Sequence, residues 1–494
     1  MCIYLSKSKY CKAVQCNKIL WLDKNKKEVA TDTSSKTALE NGIKVGELAR
    51  NLFGEYINVE YNQDVSKMIE ITNELMKNYP NIITEASFSY NNNFCSVDIL
   101  KNEQDGVTIY EVKSTTGIKP INLDDVAYQV YVLKKLGYNV KSANLVHLNN
   151  KYIRQGDLEL DKLFTIEDVT EIANSKQIEV ENKITEINEY LKQTEEPKDE
   201  IGMQCFMNDY ECPYWKYCTK LLPEKSVFNV ANMHVDKKID LYNKEIISFE
   251  DLRDEPLSGK FHQQIEIDFT DETVIDKESI KEFLSQMTYP IYFLDFEGYE
   301  KPIPEFDDSW SYEQIPFQYS IHYIESEDSD VKHLEFLAET GVDPRRILAE
   351  KLVKDIPENA CIIVYNCSYE KTRLKELAEI FPDLKEKLLN MNDHIIDLII
   401  PFRSRWYYCK AMEGSYSIKY VLPALYPEDP TLDYHNLPVV HNGTEASQTF
   451  LELQNHTKEE QEEIRKGMLM YCGLDTYALV KVWEKLKEVV EEDS

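Results

Sequence analysis

The chain has 494 residues and a formal net charge of −32, which argues against a broad, nonspecific grip on nucleic acid but not against an enzyme that gathers carboxylates around metal ions. At 43% hydrophobic and 11% aromatic it can bury substantial cores, which excludes a disordered protein. No apolar run approaches the ~20 residues that span a bilayer, and MCIYLSKSKYCKAVQ lacks the apolar core of a secretion signal, so a cytoplasmic location with no membrane partner is expected.

Residues 1–30 hold seven lysines against Asp23 and Glu28, either a patch that guides a phosphate backbone or a solvated lysine face. NGIKVGELARNLF has helical spacing. ASFSYNNNFCSVDIL and VTIYEVKS read as strands flanking KNEQDG, whose Asp105–Gly106 pair signals a hairpin turn. DDVAYQVYVLKKLGY reads as an amphipathic helix stopped at Gly137. Residues 165–200 are charged and helical in period, ending in the exposed loop TEEPKDE. Residues 226–286 read as a small helical connector. From Pro290 a second α/β pattern runs from the strand IYFLDFEGYE to the helix MLMYCGLDTYALVKVWEKL. The expected organisation is α/β, with domains at 1–225 and 287–494 joined by the connector.

The hairpin carries the first chemical constellation. Glu111 and Lys113 lie two apart on a strand and share a face, and the turn can bring Asp98 beside them. Two carboxylates can hold Mg2+ or Mn2+ while the lysine stabilises charge on an attacking hydroxide or a phosphate. A solvated strand face with a cross-strand ion pair is the alternative. The arrangement resembles the PD-(D/E)XK (restriction-endonuclease-like) nuclease core, and the resemblance implies metal-dependent phosphodiester cleavage by Asp98, Glu111 and Lys113. In the RecB-like branch a following helix carries a glutamine, matched by Gln129 in AYQVYVL. Leucine stands at 133, where that motif has a tyrosine. The branch also places a metal-contacting residue on its first helix, a position that Glu47 in VGELAR takes here.

CFMNDYECPYWKYC sets Cys205, Cys212 and Cys218 within fourteen residues, one ligand short of a four-thiolate site. SKSKYCKAVQCNKILWL offers Cys11 and Cys16, and the residue types suit zinc and iron–sulfur equally. In iron–sulfur members of the RecB-like branch, including the CRISPR-associated adaptation nucleases, one cysteine precedes the core and three follow it. That resemblance selects Cys16, whose setting before Leu20 and Trp21 is similar to the family's first motif. It implies a 4Fe-4S cluster on Cys16, Cys205, Cys212 and Cys218 that staples the two ends of the domain.

In IYFLDFE, Asp295 and Glu297 share a strand face at its carboxyl end, where α/β sheets place their sites. Glu370 enters a helix in VYNCSYEKTRLKELA, and Tyr471 and Asp475 lie four apart on one face of another. Four carboxylates from a strand and two helices are what a two-metal site requires, and a tyrosine beside the last acid can orient or deprotonate water. The order of motifs resembles the DEDD exonucleases of the ribonuclease H-like fold, in the tyrosine subtype, with glutamate at 370 where aspartate is usual. Asp397 in HIIDLII reads as structural, whereas Gln318, Ser320 and His322 alternate on a strand that faces the cleft or solvent.

Over nearly its whole length the chain resembles a bacterial family that fuses a RecB-like iron–sulfur nuclease to a DEDD-like domain. This implies a two-site metal-dependent nuclease acting on DNA rather than RNA, single strands fitting best, in DNA repair or antiviral defence. No phosphate-binding G-x-x-x-x-G-K-[ST] loop occurs, so a helicase would be a separate partner. The alternative is a nucleic-acid-binding or scaffold protein with one or both sites inactive.

Overall fold

The structure is a computed structural model describing residues 4–33, 36–198, 200–206 and 211–491. It is mixed α/β, and the chain divides into two compact units: Met1–Leu222 with Lys301–Tyr312, and Pro223–Glu300 with Glu313–Ser494. The helical segment 226–286 belongs to the second unit. No helix among the described residues is long and apolar enough to cross a membrane.

The first unit is built on a seven-stranded mixed sheet: β1 Leu5–Ser6, β2 Ile57–Asn58, β3 Asn81–Tyr90, β4 Asn93–Glu103, β5 Gly106–Lys113, β6 Val140–Leu148 and β7 Phe164–Asp168. Strands β2 to β7 lie side by side in chain order. β4 and β5 form the expected hairpin, Glu103 pairing with Gly106. Its tight turn needs Gly106, since a Cβ there would lie 2.4 Å from the carbonyl oxygen of Asn139. Parallel pairing of β5 with β6 needs a crossover, supplied by a helix over Pro120–Lys135 with proline at its start. That helix is buried on nearly every side, Val126, Ala127, Val130 and Val132 packing into the main core.

Short β1 pairs in parallel with β4 at Asn93 and Phe94, and Tyr128 Oη donates to the Leu5 carbonyl. Ser6 then caps a helix over Lys7–Gln15, which is followed by a second over Asn17–Asn25. A longer helix, Lys36–Arg50, buries Val45 and Ala49.

The second unit holds a five-stranded sheet from β9 Ile291–Tyr299, β10 Ile315–Ile324, β11 Lys332–Leu337, β12 Cys361–Val364 and β13 Ile395–Asp397, after a short β8 at Val274–Ile275. Its order is β11-β10-β9-β12-β13, antiparallel on the β10 side of β9 and parallel on the β12 side. Alternation splits β9 between two cores. Tyr292, Leu294 and Phe296 pack beneath the helices Arg345–Asp355 and Ser368–Ile380. Ile291 and Phe293 meet the C-terminal helix Lys458–Glu491, with the Phe293 and Trp483 rings 5.8 Å apart. Asp295 and Glu297 continue that second face.

Candidate functional sites

The hairpin residues converge in the first unit. β4–β5 pairing stops at Ile99 and Tyr110, so the next residue on each strand, Asp98 and Glu111, sits where the ladder opens. Asp98 Oδ2 replaces a backbone acceptor by taking the Val112 N–H at 2.8 Å. Lys113 Nζ reaches Glu111 Oε1 at 2.8 Å and Asp125 Oδ2 at 2.6 Å. Gln129 Nε2 donates to Glu111 Oε2 at 2.7 Å and to Asp125 Oδ1 at 3.0 Å, while its buried Oε1 has no partner.

Two contributors escaped the sequence reading. Asp125 lies four residues before Gln129 on one helical face, a spacing that carries the signal once Gln129 is chosen. Lys7 Nζ sits 2.8 and 2.9 Å from the two Glu111 oxygens and 3.2 Å from Asp98 Oδ1. Burial raises the Asp98 carboxyl to about 7, with Glu111 adding to the rise and Lys7 and Lys113 opposing it. Burial also disfavours charge on Glu111, but Lys113 and Lys7 outweigh it and hold this carboxyl well below its ordinary range.

Glu47 is not drawn in. It is exposed, on the opposite side of its helix from the buried Val45 and Ala49. The further carboxylate whose field reaches Asp98 is Glu85, on β3 between the pairs Thr84–Ile99 and Ala86–Val97. Its φ of 57° is uncommon for a non-glycine residue, and Arg50 holds its carboxylate at 2.7 Å. Several amino-terminal lysines besides Lys7 have partners within the unit, while Lys9, Lys24 and Lys27 are exposed. Lys18 and Lys26 pair with Glu196, Lys12 with Asp23, and Lys9 and Lys24 donate to backbone carbonyls.

The cysteines also meet. Cys16, Cys205, Cys212 and Cys218 line one cavity of about 360 Å3, although residues 207–210 of the cysteine segment lie outside the described residues. Cys16 joins the two amino-terminal helices, while Cys11 is buried in the main core. Trp21 Nε1 donates to the Gln193 carbonyl at 2.9 Å and Gln15 Nε2 to that of Gln204 at 3.0 Å, which fixes the cavity wall. Burial raises the Cys205 and Cys212 thiols, and the neighbouring sulfurs raise them further. No disulfide joins the described cysteines. Among the described residues, no three of these sulfurs come within 4.8 Å of one another.

In the second unit, ligand oxygens of Asp295, Glu297 and Asp475 all lie within 4.8 Å of one another. Glu370 is buried close enough to raise both strand acids, but it stands outside this tight trio. Asp475 Oδ2 and Glu370 Oε2 are buried without a hydrogen-bond partner. Burial, followed by mutual repulsion, pushes Asp295 and Glu297 well above the carboxylate range. Burial lifts Asp475 to about 7 despite the hydrogen bond from Tyr434 and the nearby Lys419 charge, and burial with Asp397 nearby does the same to Glu370. Orphaned, mutually repelling carboxylates in one buried pocket are matched to a multivalent cation.

Asp397 is structural. It accepts the N–H groups of Asn366 at 2.8 Å, Cys367 at 3.3 Å and Ile399 at 3.2 Å, fixing the turn that delivers Glu370. Tyr434 was absent from the sequence reading, for no motif marks it. Its hydroxyl donates to Asp475 Oδ1 at 2.8 Å and its ring lies 5.9 Å from that of Tyr471. Gln318 and Ser320 are buried, whereas His322 is half-buried and lines an open groove of about 610 Å3 with His333 and Glu335. All three bond the C-terminal helix, at the Met468 carbonyl and at Thr476. Beside the acids lies an open groove of about 980 Å3 lined by Lys419, Tyr434, His435, His441 and Asn442, and Lys419 exerts its charge on Glu297 and Asp475.

A protein family described as a domain of unknown function, DUF2779, matches residues 292–417, which include Asp295, Glu297 and Glu370. The uncharacterized protein UU173 of Ureaplasma parvum serovar 3 is 29% identical over 224 residues, covering 41% of this chain and 32% of that protein. An uncharacterized MG366 homolog of Mycoplasma pneumoniae is 24% identical over 215 residues, covering 40% and 32%. The chain thus spans about a third of the length of the curated relatives it matches.

Proposed function

We propose that the chain is a metal-dependent nuclease with two hydrolytic sites, acting in the cytoplasm on single-stranded DNA during repair or antiviral defence. The observation that carries this reading is the trio Asp295, Glu297 and Asp475, within 4.8 Å, Glu297 buried and the two aspartates half-buried, with a buried, unpartnered Asp475 oxygen. The mixed sheet of the second unit, with the trio on β9 and the C-terminal helix, supports a ribonuclease H-like DEDD assignment. The first unit's hairpin, crossover helix and Asp98–Glu111–Lys113–Gln129 set support a RecB-like PD-(D/E)XK assignment.

Asp295, Glu297, Asp475 and Glu370 would hold Mg2+ or Mn2+, which when bound activates water and steadies the leaving oxygen. Tyr434 holds the Asp475 carboxylate, and Tyr471 would orient water beside it. Lys419 lines the groove, where it would meet a substrate phosphate. In the first unit Asp98 and Glu111 would bind the ion and Lys113 would face the scissile phosphate. Full-length protein is expected to degrade 5′-labelled single-stranded DNA with Mg2+ or Mn2+ and not with EDTA. The double variant Asp98→Asn/Asp295→Asn should be inert on the same strands, and cleavage that survives both changes refutes both assignments.

The four thiols fit a 4Fe-4S cluster, which would serve as a structural staple between the amino-terminal helices and the 205–218 segment. Anaerobically purified protein is expected to be brown and to carry about four irons per chain. Cys212→Ser should lose the colour and the iron. Stoichiometric zinc without iron would overturn the cluster.

A further inference from the structure

The first unit contains one cation that its motif does not require. Lys7 follows β1 directly, and β1 is paired to the same strand that carries Asp98. The register leaves little freedom: Leu5 is opposite Asn93, Ser6 is opposite Phe94, and Ser6 caps the helix that Lys7 begins. The ammonium is thereby aimed into the ladder opening between β4 and β5. It contacts both Glu111 oxygens and Asp98 Oδ1 at 2.8–3.2 Å. The Glu111 side chain is 3% exposed and Lys7 21%, so water does little to screen the contact.

A divalent ion requires these same oxygens. Mg2+ binds carboxylate oxygens at about 2.0–2.1 Å and demands near-octahedral geometry. Lys7 covers both oxygens of Glu111 and one of Asp98, while the other Asp98 oxygen is taken by the Val112 N–H. Lys113 and Gln129 remain bonded to Glu111 when Lys7 is set aside, so the carboxylate stays oriented without it.

We infer that Lys7 is a tethered counter-cation: it neutralises Asp98 and Glu111 in the metal-free protein and is displaced from them when the divalent ion enters. This rests on the reading of Asp98 and Glu111 as metal ligands and assigns Lys7 a positioning role within it. The site would then switch between two cations, one carried by the chain and one from solution.

Mn2+ binding by electron paramagnetic resonance tests this on full-length protein carrying Asp295→Asn and Asp475→Asn, so that the second unit takes up no ion. Adding Lys7→Met, which keeps the stem and removes the charge, is expected to tighten Mn2+ binding about tenfold or more, the scale of removing one competing charge at a partly buried site. Equal or weaker binding by the folded Lys7→Met protein overturns the inference while leaving the metal ligands standing. No Mn2+ at the first site in either protein overturns both. A second measurement needs no substitution. Amine acetylation of the wild-type chain, read by peptide mass spectrometry, should label Lys7 slowly in EDTA and faster at saturating Mn2+. A Lys7 rate that Mn2+ leaves unchanged overturns the displacement.

Discussion

Asp295→Asn is expected to cut stepwise removal of nucleotides from 3′ ends by at least about 10³-fold, equivalent to ~4 kcal/mol of lost transition-state stabilisation. The strand position makes the effect large. Asp295 sits centrally on β9, opposite Ser320 of β10, where the sheet fixes it beside Glu297 and Asp475. Asparagine preserves the shape and removes the charge, so the fold should persist. Cleavage that depends on Glu111 should continue, because the first unit has its own carboxylates. The measurement is product length against time on 5′-labelled single strands, with Asp98→Asn as the reciprocal control. Unaltered laddering by Asp295→Asn would remove the second site from the mechanism.

The second large effect is on stability and has the opposite sign. Asp475→Asn is expected to stabilise the chelated protein at pH 8 by on the order of 4 kcal/mol, from a shift of about three pKa units at 1.36 kcal/mol each. The folded-state pKa of Asp475 is raised, from 3.8 to about 7. The stability it contributes is therefore full below its unfolded value and lost as pH rises through 7. At pH 8 the wild type folds around a charge it has desolvated, whereas asparagine carries none. At pH 5 the gain should fall below half. Partial burial lowers the His322 and His333 rings, and both are present in wild type and variant. Denaturant unfolding in EDTA at the two pH values reads the effect directly. Mn2+ should close the gap, since only the wild type keeps the full ligand set: about 2.7 kcal/mol is gained at a hundredfold excess over Kd and about 4.1 kcal/mol at a thousandfold, enough to cancel the difference. A variant no more stable than wild type at pH 8 would refute the electrostatic account of the pocket.

Local spacing made much of both sites legible. Glu111 and Lys113 are two apart on a strand, Tyr471 and Asp475 four apart on a helix, and Asp295 and Glu297 two apart, so each pair's shared face follows from backbone periodicity alone. Lys7 was legible as a basic residue but not as a site residue. Its role depends on a two-residue strand pairing with β4, which no pattern of five residues announces. Glu47 failed for a related reason: helical spacing predicted its helix, but not which face packs, and Val45 and Ala49 took the inner side. Gln318, Ser320 and His322 alternate as a strand should, yet alternation cannot say that a 34-residue helix covers that face. Tyr434 comes from a 3-10 turn without periodicity, where only tertiary structure assigns a partner.

The thiol cavity has a consequence for biosynthesis. Cys16 leaves the ribosome roughly 10–40 s before Cys218, at 5–20 residues per second, and the wall contacts of Gln15 and Trp21 wait on Gln204 and Gln193. Until then the apolar Ile19, Trp21 and Leu22 have no Tyr214 to pack against. The sheet, complete at Asp168, and the Tyr10 and Cys11 face of the first helix can therefore pack before this cavity closes. Any metal that seals the cavity arrives after the strands are in place, which makes it a late step in maturation of the first unit.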